Sequence, residues 1–330
     1  MRQHRQISRG MAAPRRDHGA IVQAVVSSKS AAGQAGFAAS WRRSLIHHKL
    51  DPVAQIPVER LAQQDMQRRR ERAGLMMSIA APVLDRLARA AGDAGCAVLL
   101  SDAGGLILDE RLRDGDAVDF HASGLVSGAD WSESREGTNG IGTCLAEARP
   151  ITVWRDQHFR AGNTALTCMG APIFGATGEL AGVIDVSSAR SDMTEGYARL
   201  VALTVQDAAH RIEADLFRAT HDGARILSTG GGETASQGVM LLAIDRDDLV
   251  IGATRAARRH LDLQDGQIGK LPAADLLEID AAKGLEEAQR SEMARALARS
   301  GGNVSAAARE LGIGRATFYR KAKALALTVS

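Results

Sequence analysis

Residues 302–321 read GNVSAAARELGIGRATFYRK, and their reading decides how the chain is organised. Two short helical segments, 304–311 and 315–325, flank the tight turn made by Gly312, Ile313 and Gly314, and a longer segment at 285–299 precedes them. Gly301 and Gly302 end that first helix, since glycine takes up the left-handed backbone at a helix C-terminus without steric cost. Asn303 offers a side-chain oxygen to cap the second helix. Leu297, Val304, Ala307, Ala308, Leu311, Ile313 and Phe318 can converge on one interior, and the small Ala307 and Ala308 permit close helix approach. The pattern predicts an all-α helix-turn-helix unit over 285–327. Its last helix carries Arg315, Arg320, Lys321 and Lys323 with no acid, and offers Thr317 and Tyr319 beside them. Cations so placed neutralise phosphates and reach guanine edges in a major groove, so double-stranded DNA is the expected partner.

Outside this unit the charge is unremarkable. The formal net charge over 330 residues is +2, so the basic end matters and the total does not. Residues 1–16 hold Arg2, Arg5, Arg9, Arg15 and Arg16 without an acid. Together with weak periodicity this predicts a disordered basic tail over 1–36, with Met1 or Met11 as the start. No apolar stretch follows the arginines, so they do not open a secretory signal. No apolar run reaches the roughly 18 residues a membrane helix needs, and no membrane partner is expected. Cys96, Cys144 and Cys168 form no CxxC pair and fit the reduced thiols of the cytoplasm.

Between the ends the periodicity predicts an α+β domain within residues 37–217. Pro57 opens a helical pattern carried by Leu61, Leu75, Met76, Ile79, Val83, Leu84 and Leu87, with a break or kink expected at Pro82. Strands are predicted at 96–100, 106–108, 151–154, 169–174 and 180–186, followed by a helix over 192–217. Gly230, Gly231 and Gly232 mark a linker at 218–238, and a small unit with two strands and a helix occupies 239–272.

Two resemblances sharpen this outline. The stretches 302–308, 311–313 and 315–321 resemble the Fis-type helix-turn-helix, whose DNA-touching positions fall on Asn303, Ser305, Arg315, Thr317, Tyr319, Arg320, Lys321 and Lys323. Gly314 departs from that family, which often caps the recognition helix there with Ser or Asn. The stretch 131–143 (WSESREGTNGIGT), His158, Phe159, Cys168, Ala171, Pro172, Ile173 and 178–187 (GELAGVIDVS) resemble the GAF sensor domain of acetoin-catabolism regulators. Ser40–Ser44 (SWRRS) with Asp51 and Pro52 is similar to the motif before that domain, and 239–270 to the family's PAS-like element. The resemblance implies a GAF-like antiparallel sheet with flanking helices and a small-molecule effector, and a homodimer is expected on symmetry grounds, because paired half-sites need paired readers. The resemblance also exposes a departure: those regulators carry a central ATPase, whereas residues 216 to 284 are only 69 positions here and no GxxxxGK[ST] occurs. Without ATP hydrolysis the chain is expected to repress, to assist another activator, or to contact RNA polymerase directly.

The glycines of 137–142 have phosphate-loop spacing but continue Thr143, Cys144 in place of Lys-Ser/Thr, so no nucleotide is expected there. They serve either a shaped turn into a helix or a ligand. The effector candidates are Trp131, Thr138, Asn139, Cys144 and Cys168, with a core role for Trp131 as the default. No metal-ligand spacing occurs, and neither metal nor cofactor is expected. Two alternatives to a regulator stay open: a thiol enzyme on a GAF fold resembling methionine sulfoxide reductases, and an architectural DNA-binding protein.

Overall fold

The computed structural model describes residues 15–28, 37–55, 57–229, 238–277 and 284–327, in two compact units divided after Gly269. The expected glycine linker at 230–232 lies outside the described residues, as do positions 1–14 and 29–36 of the expected tail.

The first unit opens with α1 (Arg15–Ser27), α2 (Ala38–Arg42) with a π-type turn to His47, α3 (Gln63–Arg72) and α4 (Gly74–Ala91). There follow β1 (Cys96–Asp102), β2 (Ile107–Arg111), α5 (Ala117–Ala122), α6 (Glu133–Glu136) and α7 (Gly140–Glu147). β3 (Ile151–Trp154), β4 (Thr167–Phe174), β5 (Leu180–Ser188) and the long α8 (Glu195–Thr220) complete its main layer. The five strands form an antiparallel sheet in the order β2-β1-β5-β4-β3. Both faces are covered, and the two-residue period of the strands sorts the side chains between them. Val98, Leu100, Met169, Ala171, Ile173, Ile184 and Val186 pack against α4 and α8. Ala97, Leu99, Ile107, Cys168 and Val183 face the other way, toward Phe120, Leu125, Trp131 and Ile141.

A second sheet of three short antiparallel strands, β6 (Arg225–Ser228), β7 (Leu241–Ile244) and β8 (Val250–Ala253), is followed by α9 (Arg255–His260). Phe217 and Ala214 of α8 pack with Leu241 and Ala243. The segment expected as a linker from 218 therefore begins with the last turn of α8 and a strand.

Two other expectations are corrected. Residues 15–27 are helical, because Val22 and Val26 bury against Trp41 and Phe159 and His18 Nε2 meets the carbonyl oxygens of His158 and Phe159 at 3.0 and 3.2 Å. Pro82 lies inside an unbroken α4, and the chain is interrupted instead at Ala73. Met76, Ala80, Val83, Leu84 and Leu87 pin α4 to the sheet on both sides of the proline, outweighing the hydrogen bond it removes.

The second unit contains α10 (Ala273–Leu276), α11 (Leu285–Arg299), α12 (Val304–Glu310) and α13 (Arg315–Ala324). Its core is Met293, Ala296, Val304, Ala307, Ala308, Phe318 and Ala322, all apolar. No helix among the described residues is long and apolar enough to cross a membrane.

Candidate nucleic-acid interface and sensor interior

The helical unit is built by its turn chemistry. Gly301, Gly302 and Gly312 take positive φ of 59°, 84° and 66°, which side-chain-bearing residues adopt at a cost. Asn303 caps α12, its Oδ1 accepting from Ala306 N at 3.1 Å. Arg299 bridges Glu292 of its own helix and Glu310 of α12, fixing the angle between the two. Phe318 and Ala322 anchor one side of α13. Arg320 sits between them in sequence and so projects from the opposite side.

Arg315, Tyr319, Arg320 and Lys323 are exposed, and Thr317 and Lys321 are half-buried. The Arg315 guanidinium lies 5.7 Å from the Tyr319 ring centre. None of the four cations of α13 makes an ion pair among the described residues, in contrast to Arg295 and Arg299 of α11. Asn303 is exposed at its cap and Ser305 half-buried one residue into α12. Gly314 begins α13 in extended conformation with no side chain to cap it.

The glycine-rich loop of the first unit is sealed. Asn139 is fully buried, and its side chain is saturated. Oδ1 accepts from Ile141 N and Gly142 N at 2.9 and 2.8 Å, while Nδ2 donates to Trp131 O and Gly137 O at 3.0 and 2.8 Å. Gly140 and Gly142 carry no positive φ; they are needed for contact. A Cβ on Gly140 would stand 2.6 Å from Cys168 Cβ, and one on Gly142 would stand 2.7 Å from Trp131 O and collide with Glu133 N.

Thr138 is packed beside Ser40, their hydroxyls 2.6 Å apart. Trp131 donates its indole N–H to Gly124 O at 2.8 Å. Cys168 receives the Ser187 hydroxyl at 3.0 Å and lies 3.3 Å from His158 Nε2. Trp131, Thr138, Asn139, Cys144 and Cys168 are each at most 2% exposed. Each of these five effector candidates thus has a packing or bonding role inside the protein. Burial pushes the Cys96, Cys144 and Cys168 thiols up, against thiolate formation. His158, wholly buried, is held neutral down to a pKa of about 4. No cluster of metal-ligating side chains occurs among the described residues.

Sequence reasoning missed two features. The SWRRS segment is a clamp: Ser40 Oγ donates to Glu133 Oε2 at 2.8 Å and Arg43 Nε donates to Glu133 Oε1 at 2.6 Å. A second Arg43 bond reaches Glu147 at 3.1 Å. The other is a cavity of about 350 Å³ between α8, the end of β4 and the start of α9, lined by none of the five effector candidates. A polar stripe on α8 (Gln206, His210 and Glu213, at helical spacing) was the available signal.

A double-covered antiparallel sheet with a helix-turn-helix at its C-terminal side places the chain among α+β domains joined to a DNA-reading type of module. Residues 284–325 match the family described as "Bacterial regulatory protein, Fis family". Residues 20–213 match "MimR, N-terminal domain", and the chain belongs to that family. The "Acetoin catabolism regulatory protein" of Cupriavidus necator is 31% identical over 72% of this chain and 36% of its own length. The "Propane 2-monooxygenase operon transcriptional activator MimR" of Mycolicibacterium smegmatis is 26% identical over 77% of this chain and 45% of its own. The chain thus spans less than half the length of these relatives, and the interval between α8 and α11 is too short for an ATPase domain. Among solved structures, the E. coli DhaR(N)-DhaL complex is similar at 15% identity and a TM-score of 0.49, over 71% of this chain and 79% of that one.

Proposed function

We propose that this chain is a sequence-specific, DNA-binding transcriptional regulator of the cytoplasm, controlled by a small molecule bound in its first unit and devoid of ATPase activity. The observation that carries the reading is the set of four cations on α13 that make no ion pair among the described residues, on a helix anchored by an apolar core. The expected contact residues are Asn303, Ser305, Arg315, Thr317, Tyr319, Arg320, Lys321 and Lys323, with the N-terminal half of α13 in the major groove. A homodimer supplies two such helices to a two-fold operator. With no ATPase between α8 and α11, the regulator represses, or assists another activator or RNA polymerase by contact. The thiol-enzyme alternative is disfavoured by three buried, high-pKa cysteines.

The test is a fluorescence-anisotropy titration of the full chain on the DNA upstream of its own gene, at several salt concentrations. A steep fall in affinity with salt is expected. Arg315→Ala and Arg320→Ala are each expected to lose about 1–3 kcal/mol of specific binding with an unchanged melting temperature. Weak, salt-insensitive binding would overturn the reading.

A further inference from the structure

The cavity beside α8 has walls from three parts of the first unit: Ala171, Pro172 and Phe174 from β4, Ala209, His210 and Glu213 from α8, and Arg255 and Arg259 from α9. At about 350 Å³ it has the size of a small-ligand site. Its apolar wall is continuous with the sheet core, and its charged groups are unsatisfied in a particular way. The Arg255 guanidinium carbon stands over the Phe174 ring, 3.8 Å from the centroid. It makes no hydrogen bond or ion pair among the described residues, and Arg259 makes none either. Among the described residues Glu213 accepts only the Phe174 backbone N–H, at 2.9 Å. Burial raises its pKa to about 7 and depresses that of His210, so at neutral pH Glu213 is only partly ionised, His210 is neutral, and the cavity keeps a net positive charge. Arg149 at the rim is already paired with Glu147.

We propose that this cavity is the effector site and that it binds a small organic carboxylate, with Arg255 and Arg259 receiving the carboxylate and Glu213 meeting a hydroxyl or carbonyl oxygen of the ligand. A planar guanidinium pre-set on an aromatic face matches the two oxygens of a carboxylate. A neutral alcohol or ketone leaves the half-buried Arg255 guanidinium without an ion-pair partner, and inorganic phosphate leaves the wall of Ala171, Pro172 and Phe174 uncovered. The site's role as effector site rests on the regulator reading; its occupancy does not, because it is measured without DNA.

The experiment is calorimetric titration and thermal melting of the full chain with lactate, pyruvate, acetoacetate and propionate, against acetone, isopropanol and inorganic phosphate. At least one carboxylate is expected to bind saturably and raise the melting temperature, with no comparable effect from the neutral compounds or phosphate. Arg255→Gln and Arg259→Gln are each expected to weaken that binding roughly tenfold or more. Should Arg255→Gln fail to fold, the exposed Arg259 decides alone. The proposal is overturned if no carboxylate binds, if a neutral compound or phosphate binds as well, or if the folded variants keep full affinity. A carboxylate that binds without altering DNA affinity retains the site and removes its effector role; absent DNA binding with intact carboxylate binding removes the regulator reading alone.

Discussion

The glycines of 137–142 and those of 301–312 answer different demands, although both stretches look alike on paper. In the first unit Gly140 and Gly142 let α7 lie directly on the sheet and on the Trp131–Glu133 backbone, where any Cβ meets another atom. In the helical unit a Cβ on Gly301, Gly302 or Gly312 meets nothing within 4 Å, and the glycines serve backbone direction alone. The interiors differ likewise. Glu133, Asn139, His158 and Asp185 are buried in the first unit, whereas the core of the second holds only apolar side chains. One unit spends its polar groups on holding itself together; the other leaves them on its surface.

The largest test of this contrast is Gly142→Ala, which forces a methyl group into backbone and is expected to destabilise the first unit by about 3 kcal/mol, read by urea denaturation. A loss below about 0.5 kcal/mol would show that the loop yields and the contrast is false.

A second test is pH. Burial raises Glu213 to about 7 and Asp185 to about 6, so their folded forms hold protons that the unfolded chain releases. The stability they contribute is complete below their unfolded values near 4 and declines as pH rises through 6–7. Glu213→Gln, which keeps the acceptor for Phe174 N–H, is expected to stabilise the first unit by on the order of 1–2 kcal/mol at pH 8 and by little at pH 4.5. His158 acts in the opposite sense: its depressed pKa of about 4 means stability is lost as pH falls from 6.5 through 4. The apolar core of the helical unit supplies no such dependence, and hydrogen exchange resolved by unit separates the two.

Smaller effects belong to the helical unit. Gly302→Ala, at a φ of 84° but in open space, is expected to cost about 1 kcal/mol in backbone strain. A loss as large as that at Gly142 would erase the distinction between the two loops. Gly314→Ser is expected to add a few tenths of a kcal/mol by capping α13, measured as a slight rise in melting temperature with DNA contacts intact.

Much of the fold was legible because local patterns carried it. The strands at 96–100, 106–108, 151–154 and 180–186 and the helices α11, α12 and α13 follow from periodicity and turn residues. Helix α1 was illegible because its stability comes from Trp41 and Phe159, distant in sequence, and not from its own composition. The effector candidates were chosen by residue type, and the same chemistry that makes Asn139 or Cys168 a plausible ligand contact makes it a good internal bonding partner.

By itself the sequence determined the helix-turn-helix and the basic face of its last helix, because helix period, glycine placement and charge act within a few residues of one another. Tertiary structure alone decided that the 137–142 glycines exist for contact, that Ser40 and Arg43 clamp Glu133, and that Glu213, Arg255 and Arg259 line one cavity. Those facts depend on which distant segments meet, and the burial and electrostatics that give the residues their character arise only when they do.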